Sequence, residues 1–345
     1  MQSRTGQARR HGRYAARTAK EGNLLIGGRR VILGGLATMA AGLIGWEFGV
    51  GLPRSAPSAR AMNLPSGDNA TAATAPASPV TAAPAPAPAP ATSVPASVSG
   101  LPPWRRNAVR PPAVDGRPAI TIVIDDLGVL RSGTTRTLAL PGPLTLSWFP
   151  FAPRITEQVA EGMARGHETT LHMPMQAGPH TESSVGPNPL RVDLPAEINL
   201  ARLRAALAAV PGIVGFNNHM GTVATRDAGL MNLVAQEAKS QGMLFLDSVV
   251  IPHSEGVRRC DVAGVPTAAR DVFIDNTARP SDIALSLVEI EAHARRSGHC
   301  IAIGHPRPHT LEALEVWLPT LPGKGFALWP LSATVAWRNG LPLAG

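Results

Sequence analysis

The sequence has only two cysteines, Cys260 and Cys300, among its 345 residues. Two cysteines are too few for the disulfide framework that stabilises many small secreted domains. One bridge between them would be possible in an oxidising compartment, and the sequence leaves open whether their Cα atoms lie close enough. A scaffold held together by several disulfides is therefore excluded.

Outside its first 30 residues the chain has almost no net charge. Residues 1–30 contain eight Lys and Arg and one Glu, so they account for +7 of the formal net charge of +8. A surface that binds phosphate groups needs clustered Lys and Arg. The sequence therefore argues against a nucleic-acid partner, despite the basic total.

An apolar stretch follows the basic residues. Residues 31–46 contain no charged side chain, and the stretch continues past Glu47 to residue 52, which is nearly long enough to cross a bilayer. Because basic residues precede it, we predict a cytoplasmic segment at 1–30, a transmembrane signal anchor at 31–52, and an inner-membrane protein with its C-terminal domain in the periplasm. The alternative is a cleaved signal peptide and a secreted protein.

Residues 53–118 are rich in Ala, Pro, Ser and Thr, and residues 82–92 read AAPAPAPAPAT. Alternating prolines favour extended polyproline geometry, so we predict a disordered, semi-rigid linker here. The folded domain is expected at residues 119–337, followed by a short tail at 338–345.

From residue 119 onward, short apolar runs alternate with segments whose apolar residues recur every three or four positions. This pattern is typical of alternating strands and helices. Seven or eight such units suggest either a parallel barrel or a doubly wound sheet. We predict the first, an α/β fold with a distorted (β/α) barrel of about seven strands.

Polar residues that can do chemistry follow these apolar runs. In both architectures the carboxyl ends of the strands meet at one edge, where active sites lie. Any one of these residues alone is readily explained as a helix cap or a buried structural group. Together they predict one site. They are Asp125, Asp126, His172, Asn217, Asn218, His219, Asp247, Asp275 and His305.

Two histidines and one carboxylate suit a zinc-like divalent cation with an open position for water. Adjacent Asp125 and Asp126 repel each other, and the pair becomes favourable if one binds a cation while the other stays free as a base. The sequence therefore predicts a divalent metal cofactor, with zinc as the expected ion.

Several stretches resemble the divergent polysaccharide deacetylases. They lie between residues 119 and 334 and read ITIVIDDLG, GHETTLHMPMQ, GFNNHMGTVATRD, LFLDS, RDVFIDN and IAIGHPRPHTLEAL. The resemblance implies a distorted barrel with a metal site at the strand ends. It also implies that Asp125 is the general base, Asp126 a metal ligand and His305 the general acid.

The metal-binding histidines depart from the better-known pattern of this superfamily. His172 resembles the first histidine, but Gln176 stands where the second is expected. We infer that His219 supplies the missing nitrogen from the next strand end. Asn217, Asn218, Asp247 and Asp275 are expected to orient the catalytic groups or bind substrate. Val249 and Val250 replace expected hydroxyl residues, which removes a polar contact there.

The resemblance implies metal-dependent hydrolysis of N-acetyl groups on an envelope polysaccharide such as peptidoglycan. One alternative is a non-catalytic envelope module that binds glycan or a cell-wall protein, which Gln176 favours. Another is a glycoside hydrolase, which would need two acids flanking a sugar and no metal. The sequence identifies no protein partner.

Overall fold

A computed structural model describes residues 100–112 and 114–343 of the chain. In this part, nine strands alternate with helices. The strands are β1 (Ala119–Leu127), β2 (Thr145–Trp148), β3 (Glu168–Met175), β4 (Gly215–Met220), β5 (Leu244–Asp247), β6 (Thr267–Ala269), β7 (Val272–Phe273), β8 (His299–Gly304) and β9 (Ala327–Leu328). The helices are α1 (Pro103–Arg106), α2 (Arg131–Leu138), α3 (Ile155–Ala164), α4 (Ala196–Ala209), α5 (Ala228–Ser240), α6 (Gly256–Ala263), α7 (Pro280–Ser297), α8 (Pro308–Trp317) and α9 (Leu331–Arg338).

The strands form one sheet in which every pairing is parallel. The hydrogen-bonded order is β6-β5-β4-β3-β2-β1-β8-β7, and β9 pairs with β1 outside this path. Parallel neighbours need crossover connections, which the helices between the strands supply. The α/β class is thus confirmed. Eight of the nine strands form a half-barrel, where the sequence predicts a distorted barrel of about seven strands.

One strand is absent from the sequence prediction. β6 reads Thr-Ala-Ala and is three residues long, so it contains no apolar run. Its backbone pairs with β5 through Phe245 and Thr267. Short strands of small residues are set by their neighbours in the sheet, because intrinsic β-propensity is weak.

The two ends of the sheet are joined by Arg270 and Asp271, which we call the seam. The Arg270 backbone N–H donates to the carbonyl of Asp247 at the end of β5, and the Asp271 backbone N–H donates to the carbonyl of Ile301 in β8. The chain thus leaves one edge of the half-barrel and joins the other within two residues. The seam therefore bridges the gap between the two edge strands, β6 and β7.

Successive residues of each strand face opposite sides of the sheet. On the outer side, Ile122 and Ile124 belong to the large core shared with the surrounding helices. On the inner side, Val123 and Ile303 pack with Val335 of α9, which covers the inner face. Apolar burial on both sides supplies the main stabilisation. It also decides which polar residues point into the half-barrel.

The first described residues belong to the folded domain, although the sequence predicts them as linker. The Trp104 side chain of α1 is buried, and the Trp104 backbone N–H donates to the carbonyl of Gly242. The Asn107 side chain donates to the carbonyl of Ile213 at 2.8 Å. The other predicted linker residues, 53–99 and 113, lie outside the described residues.

The predicted location as a single-pass inner-membrane protein is corrected. Across residues 100–112 and 114–343, every helix is too short or too polar to cross a bilayer. The predicted basic segment at 1–30 and the predicted span at 31–52 lie outside the described residues.

Both cysteines are free and buried, so the single disulfide that the sequence left open does not form.

A buried carboxylate ties the inner face together at the amino-terminal end of β3. Glu168 accepts hydrogen bonds from the backbone N–H and the hydroxyl of Ser332 in α9, from the Thr145 hydroxyl, and from the Val109 N–H. Burial raises the pKa of Glu168 above its ordinary value, against the opposing effect of these donors. The carboxylate connects β3, β2, α9 and the segment after α1.

We expect Glu168→Ala to lower the free energy of unfolding by about 2–4 kcal/mol, because it leaves several buried donors without an acceptor. Urea denaturation of the variant and the unchanged protein measures this. Glu157→Ala is the matched control, since Glu157 is exposed and pairs with Arg154 at the surface, so a change within about 0.5 kcal/mol is expected. Equal stability of the two variants would contradict the role of Glu168.

Candidate active site

The carboxyl ends of the strands surround a cleft of about 240 Å³. It is lined by Asp125, Asp126, His172, Asn218, His219, Met220, Ser248, Val250, Phe273, Asp275, Asn276, His305 and Arg307. Seven of the nine residues predicted from the sequence are among them. The remaining two, Asn217 and Asp247, do not line the cleft. Asn217 bonds Asp125, and Asp247 bonds Ser254 in the loop after β5.

Asp126, His172 and His219 meet at the base of the cleft. Asp126 Oδ1 lies 3.2 Å from His172 Nε2 and 3.1 Å from His219 Nδ1. The two histidine nitrogens are 3.1 Å apart. The three residues come from the ends of β1, β3 and β4, so the parallel sheet brings together side chains that are distant in the sequence.

Hydrogen bonds fix the tautomer of His172. Asn217 Nδ2 lies 2.9 and 3.0 Å from the two oxygens of Asp125, which only accept, so the amide nitrogen must face Asp125. Asn217 Oδ1 therefore faces His172 Nδ1 at 2.9 Å and accepts its proton. In the neutral ring this leaves the lone pair on Nε2, which faces the other two ligand atoms.

The tautomer of His219 follows from a backbone carbonyl. His219 Nε2 lies 3.1 Å from the carbonyl oxygen of Ser184, which only accepts, so Nε2 carries the proton and Nδ1 the lone pair. Such outer hydrogen bonds orient metal-binding histidines in proteins. Asp126 Oδ1 is buried without a hydrogen-bond donor assigned to it. Three electron-rich atoms thus face one point.

Three facing lone pairs need positive charge between them. Burial raises the pKa of Asp126, but the adjacent His172 and His219 rings, which can donate to Asp126 only when protonated, outweigh burial and lower the pKa of Asp126 well below its ordinary value. Burial lowers the pKa of His172, whereas the charges of Asp125 and Asp126 raise it, and the net shift is upward. A proton on His172 or a bound cation would supply the positive charge.

The donor set fits a divalent cation. Two imidazole nitrogens and one carboxylate oxygen form one of the clusters of described residues that could hold a metal ion. Ligands at ~2.0–2.1 Å from a tetrahedral zinc lie roughly 3.3 Å from one another, close to the separations of 3.1 and 3.2 Å here. Three protein ligands leave a fourth position for water.

Gln176, which replaces the expected second histidine, has a structural role in a loop. Its Oε1 accepts a hydrogen bond from the Val192 N–H at 2.8 Å. It is absent from the residues that line the cleft. The nitrogen that the sequence motif lacks is thus matched in space by His219, as the sequence led us to infer, and the ligand role of His219 stays a prediction.

Asn217 lies beneath the cleft and connects two functional groups. It is buried and is absent from the residues that line the cleft. Its amide nitrogen donates a hydrogen bond to Asp125. Its carbonyl oxygen accepts hydrogen bonds from His172 Nδ1 and, at 2.6 Å, from the Ser147 hydroxyl. Of the two roles expected for Asn217, the structure favours orientation over substrate binding.

His305 and Asp275 form a second pair at the opposite wall. His305 Nδ1 lies 2.9 Å from Asp275 Oδ1, and Thr310 donates to Asp275 Oδ2 at 2.8 Å. Burial raises the pKa of Asp275, but the hydrogen bond with His305 and the charge of its ring outweigh this and lower it. Asp275 is therefore ionised and holds His305 with Nε2 toward Asp126, 3.9 Å from its Oδ2.

Asp247 is absent from the residues that line the cleft, and the role expected for it at the site stays a prediction. Leu246 faces the inner side with the α9 core, so the next residue faces the outer side. The Asp247 carboxylate accepts from the Val249 N–H at 2.9 Å and the Ser254 hydroxyl at 2.7 Å. It stabilises the loop after β5 and has no contact with His305.

Asn218 lines the cleft but uses its amide locally. Its nitrogen donates to the carbonyl of Met220, and its oxygen accepts from the Ser248 N–H. Both polar ends of the Asn218 amide thus support the rim of the cleft. A direct bond between this side chain and substrate stays a prediction.

Three residues in or next to the cleft have left-handed backbone conformations. Asp126 has φ of 60°, Met220 of 54° and Val249 of 49°. Non-glycine residues rarely adopt positive φ, and a β-branched valine does so at particular cost. Strain of this kind clusters at functional sites, where the surrounding structure enforces it. At Asp126 it directs the carboxylate toward the two histidines.

Some groups in the site are not evident from the sequence. The Phe149 ring packs against His172 and His219, with centroids 5.3 and 4.7 Å away. Ser147 lies within β2, among apolar residues, and its hydroxyl donates to Asn217. In the sequence, the hydroxyl itself is the one sign of this polar contact. Ser184 contributes a backbone carbonyl, for which a side-chain pattern gives no signal.

Comparison with known proteins identifies similar chains. The family described as divergent polysaccharide deacetylase matches residues 122–335. An uncharacterised Escherichia coli protein, YibQ, is 32% identical over 228 residues, which cover 64% of this chain and 70% of that one. An uncharacterised Haemophilus influenzae protein is 31% identical over 203 residues, covering 59% and 72% of the two chains.

A solved structure shares the fold. The crystal structure of an uncharacterised protein from Agrobacterium tumefaciens aligns with a TM-score of 0.66 and 24% identity, covering 68% of this chain and 96% of that chain. At this identity the similarity supports the architecture alone.

We expect Asn217→Ala to weaken Zn²⁺ binding by about 10- to 100-fold, because His172 loses the partner that fixes its tautomer. Isothermal titration calorimetry on the metal-free protein measures the dissociation constant. Asn107→Ala is the matched control, since Asn107 bonds Ile213 far from the cleft, and its Zn²⁺ affinity should stay unchanged. Equal affinities of the two variants would show that Asn217 does not orient a ligand.

Proposed function

The chain belongs to the divergent polysaccharide deacetylase family, and from this premise we propose that it removes N-acetyl groups from a polysaccharide by metal-dependent hydrolysis. The observation that supports this most directly is the meeting of Asp126, His172 and His219 at separations of 3.1 and 3.2 Å. These three residues would hold a divalent cation, which we propose to be zinc. When bound, such a cation acidifies water and polarises the acetyl carbonyl.

Asp125 is the general base in this proposal. Its carboxylate is 2% exposed and is held by the two hydrogen bonds from Asn217, so its position is fixed. It lies next to the predicted ligand Asp126 and lines the cleft. A carboxylate in this position can accept the proton of the attacking water. The family resemblance assigns Asp125 the same role.

His305 is the general acid. Its Nδ1 is bound by Asp275, so the ring presents Nε2 to the cleft. The carboxylate of Asp275 fixes the orientation of the His305 ring. His305 Nε2 would then donate a proton to the amide nitrogen as the carbon–nitrogen bond breaks, which releases the sugar amine and acetate.

The wall of the cleft fits a sugar amide better than a long apolar ligand. Asn276, Arg307 and Asn218 offer polar groups, whereas Phe273 and Val250 offer apolar contact. An N-acetylated hexosamine has hydroxyls and a methyl group that match both. We propose an N-acetylglucosamine polymer, such as peptidoglycan, as the substrate.

The competing functions explain fewer of these contacts. A glycan-binding module would need neither a positioned base nor the His305–Asp275 pair. A metal-free glycoside hydrolase would need two free acids, yet Asp126 faces two histidine lone pairs. Hydrolysis of an amide gives each of these groups a role.

We expect the protein to release acetate from N-acetylglucosamine oligomers, to lose this activity with a chelator, and to regain it with Zn²⁺. Asp126→Ala should lower acetate release by at least about 100-fold, because one ligand and its charge are lost. Asp193→Asn, a surface change, is the control and should keep full activity. Acetate release that persists after complete metal removal would refute the mechanism.

The general acid can be tested by the choice of leaving group. We expect His305→Ala and Asp275→Asn to lower kcat on the sugar amide by about 10²–10⁴-fold, because the leaving amine needs a proton. Hydrolysis of 4-nitrophenyl acetate should fall far less, since its leaving group departs as a stable anion. His309→Ala is the matched control, because His309 is exposed and pairs with Glu312. Equal losses on both substrates would argue against proton donation by His305.

A further inference from the structure

A second cluster of metal-binding side chains lies at the amino-terminal end of β8. Asp271 of the seam, His293 of α7 and Cys300 of β8 place their ligand atoms within 4.8 Å of one another. The candidate active site lies beyond the carboxyl end of the same strand. The cluster is therefore separate from the deacetylase machinery, and none of its three residues lines the cleft.

Outer hydrogen bonds orient two of the three side chains. His293 Nδ1 lies 3.1 Å from the carbonyl oxygen of His299, which only accepts, so Nδ1 carries the proton of the neutral ring. Its Nε2 lone pair then faces Asp271 Oδ1 at 3.8 Å. Asp271 Oδ2 accepts from the Ile301 N–H at 2.7 Å and from Arg338. These bonds leave Oδ1 directed at the histidine.

Two acceptors that face each other need a positive charge between them. Thiolate, imidazole and carboxylate together are a donor set that favours zinc over magnesium or calcium. Ligand atoms around a tetrahedral zinc lie roughly 3.3–3.8 Å apart, so the Asp271–His293 separation of 3.8 Å already fits. The sulfur of Cys300 lies within 4.8 Å of the other two ligand atoms.

We propose that Asp271, His293 and Cys300 form a second, structural metal site that takes zinc and fastens the seam to β8 and α7. Asp271 lies in the two-residue connection between the edges of the half-barrel, so an ion there links that connection to a strand and a helix. Arg338 already binds Asp271 and the carbonyl of Ala269. The metal and Arg338 share the two oxygens of Asp271.

Binding releases one proton, from the Cys300 thiol. Burial raises the pKa of Cys300 well above its ordinary range, and the charge of Asp271 raises it further. The thiol is protonated in the absence of a cation, and a metal ion displaces that proton. His293 would contribute the Nε2 lone pair, since its Nδ1 faces the carbonyl oxygen of His299.

Cobalt(II) distinguishes this site from the candidate active site. Sulfur ligation produces a thiolate-to-cobalt charge-transfer band in the near ultraviolet, and Asp126, His172 and His219 contain no sulfur. We expect the metal-free protein to develop this band on titration with Co²⁺. Cys300→Ser should abolish the band, whereas Cys260→Ser should keep it, because Cys260 is the other free, buried cysteine.

A second variant tests the same site in case Cys300→Ser does not fold. His293 is partly exposed at the end of α7, and His293→Gln should raise the apparent dissociation constant of the band-forming Co²⁺ by at least about 10-fold. Absence of the band in the unchanged protein at saturating Co²⁺, or an equal band in Cys300→Ser, would overturn the proposal. In that case Asp271 only pairs with Arg338. Neither result depends on whether the protein releases acetate.

Discussion

Repulsion among three electron-rich atoms is the constraint on which the cleft depends. Asp126 Oδ1, His172 Nε2 and His219 Nδ1 would separate if their neighbours did not hold them. Asn217 fixes one ring, the Ser184 carbonyl fixes the other, and a left-handed backbone fixes the carboxylate. Backbone strain at Asp126 and buried hydrogen bonds to the two histidines keep the three lone pairs close together. A cation would stabilise this arrangement.

The positions of strands and of most site residues could be predicted from the sequence, but the direction of their side chains could not. Two strand ends illustrate this. LFLD, which ends at Asp247, and VFID, which ends at Asp275, look alike, yet Asp275 faces the cleft and Asp247 faces the outer helices. Parallel strands buried on both faces lack the polar and apolar alternation that would show their orientation.

Other features depend on the tertiary structure rather than on local sequence. The prolines before Trp104 suggest a linker, but the buried indole and a bond to Gly242 make α1 part of the domain. β6 forms because β5 offers it a partner, although Thr-Ala-Ala has no strand signal. The polar partners of the histidines include a backbone carbonyl, which no residue pattern encodes.

The seam also determines how wide the cleft can be. Arg270 donates from its guanidinium to the carbonyls of Ser248 and Val249, and its charge lies 4.7 Å from the centre of the Phe273 ring. Val250 and Phe273 both line the cleft. The Arg270 side chain therefore connects the loop after β5 to Phe273 in β7. The separation of these two parts of the structure therefore depends on one arginine, Arg270.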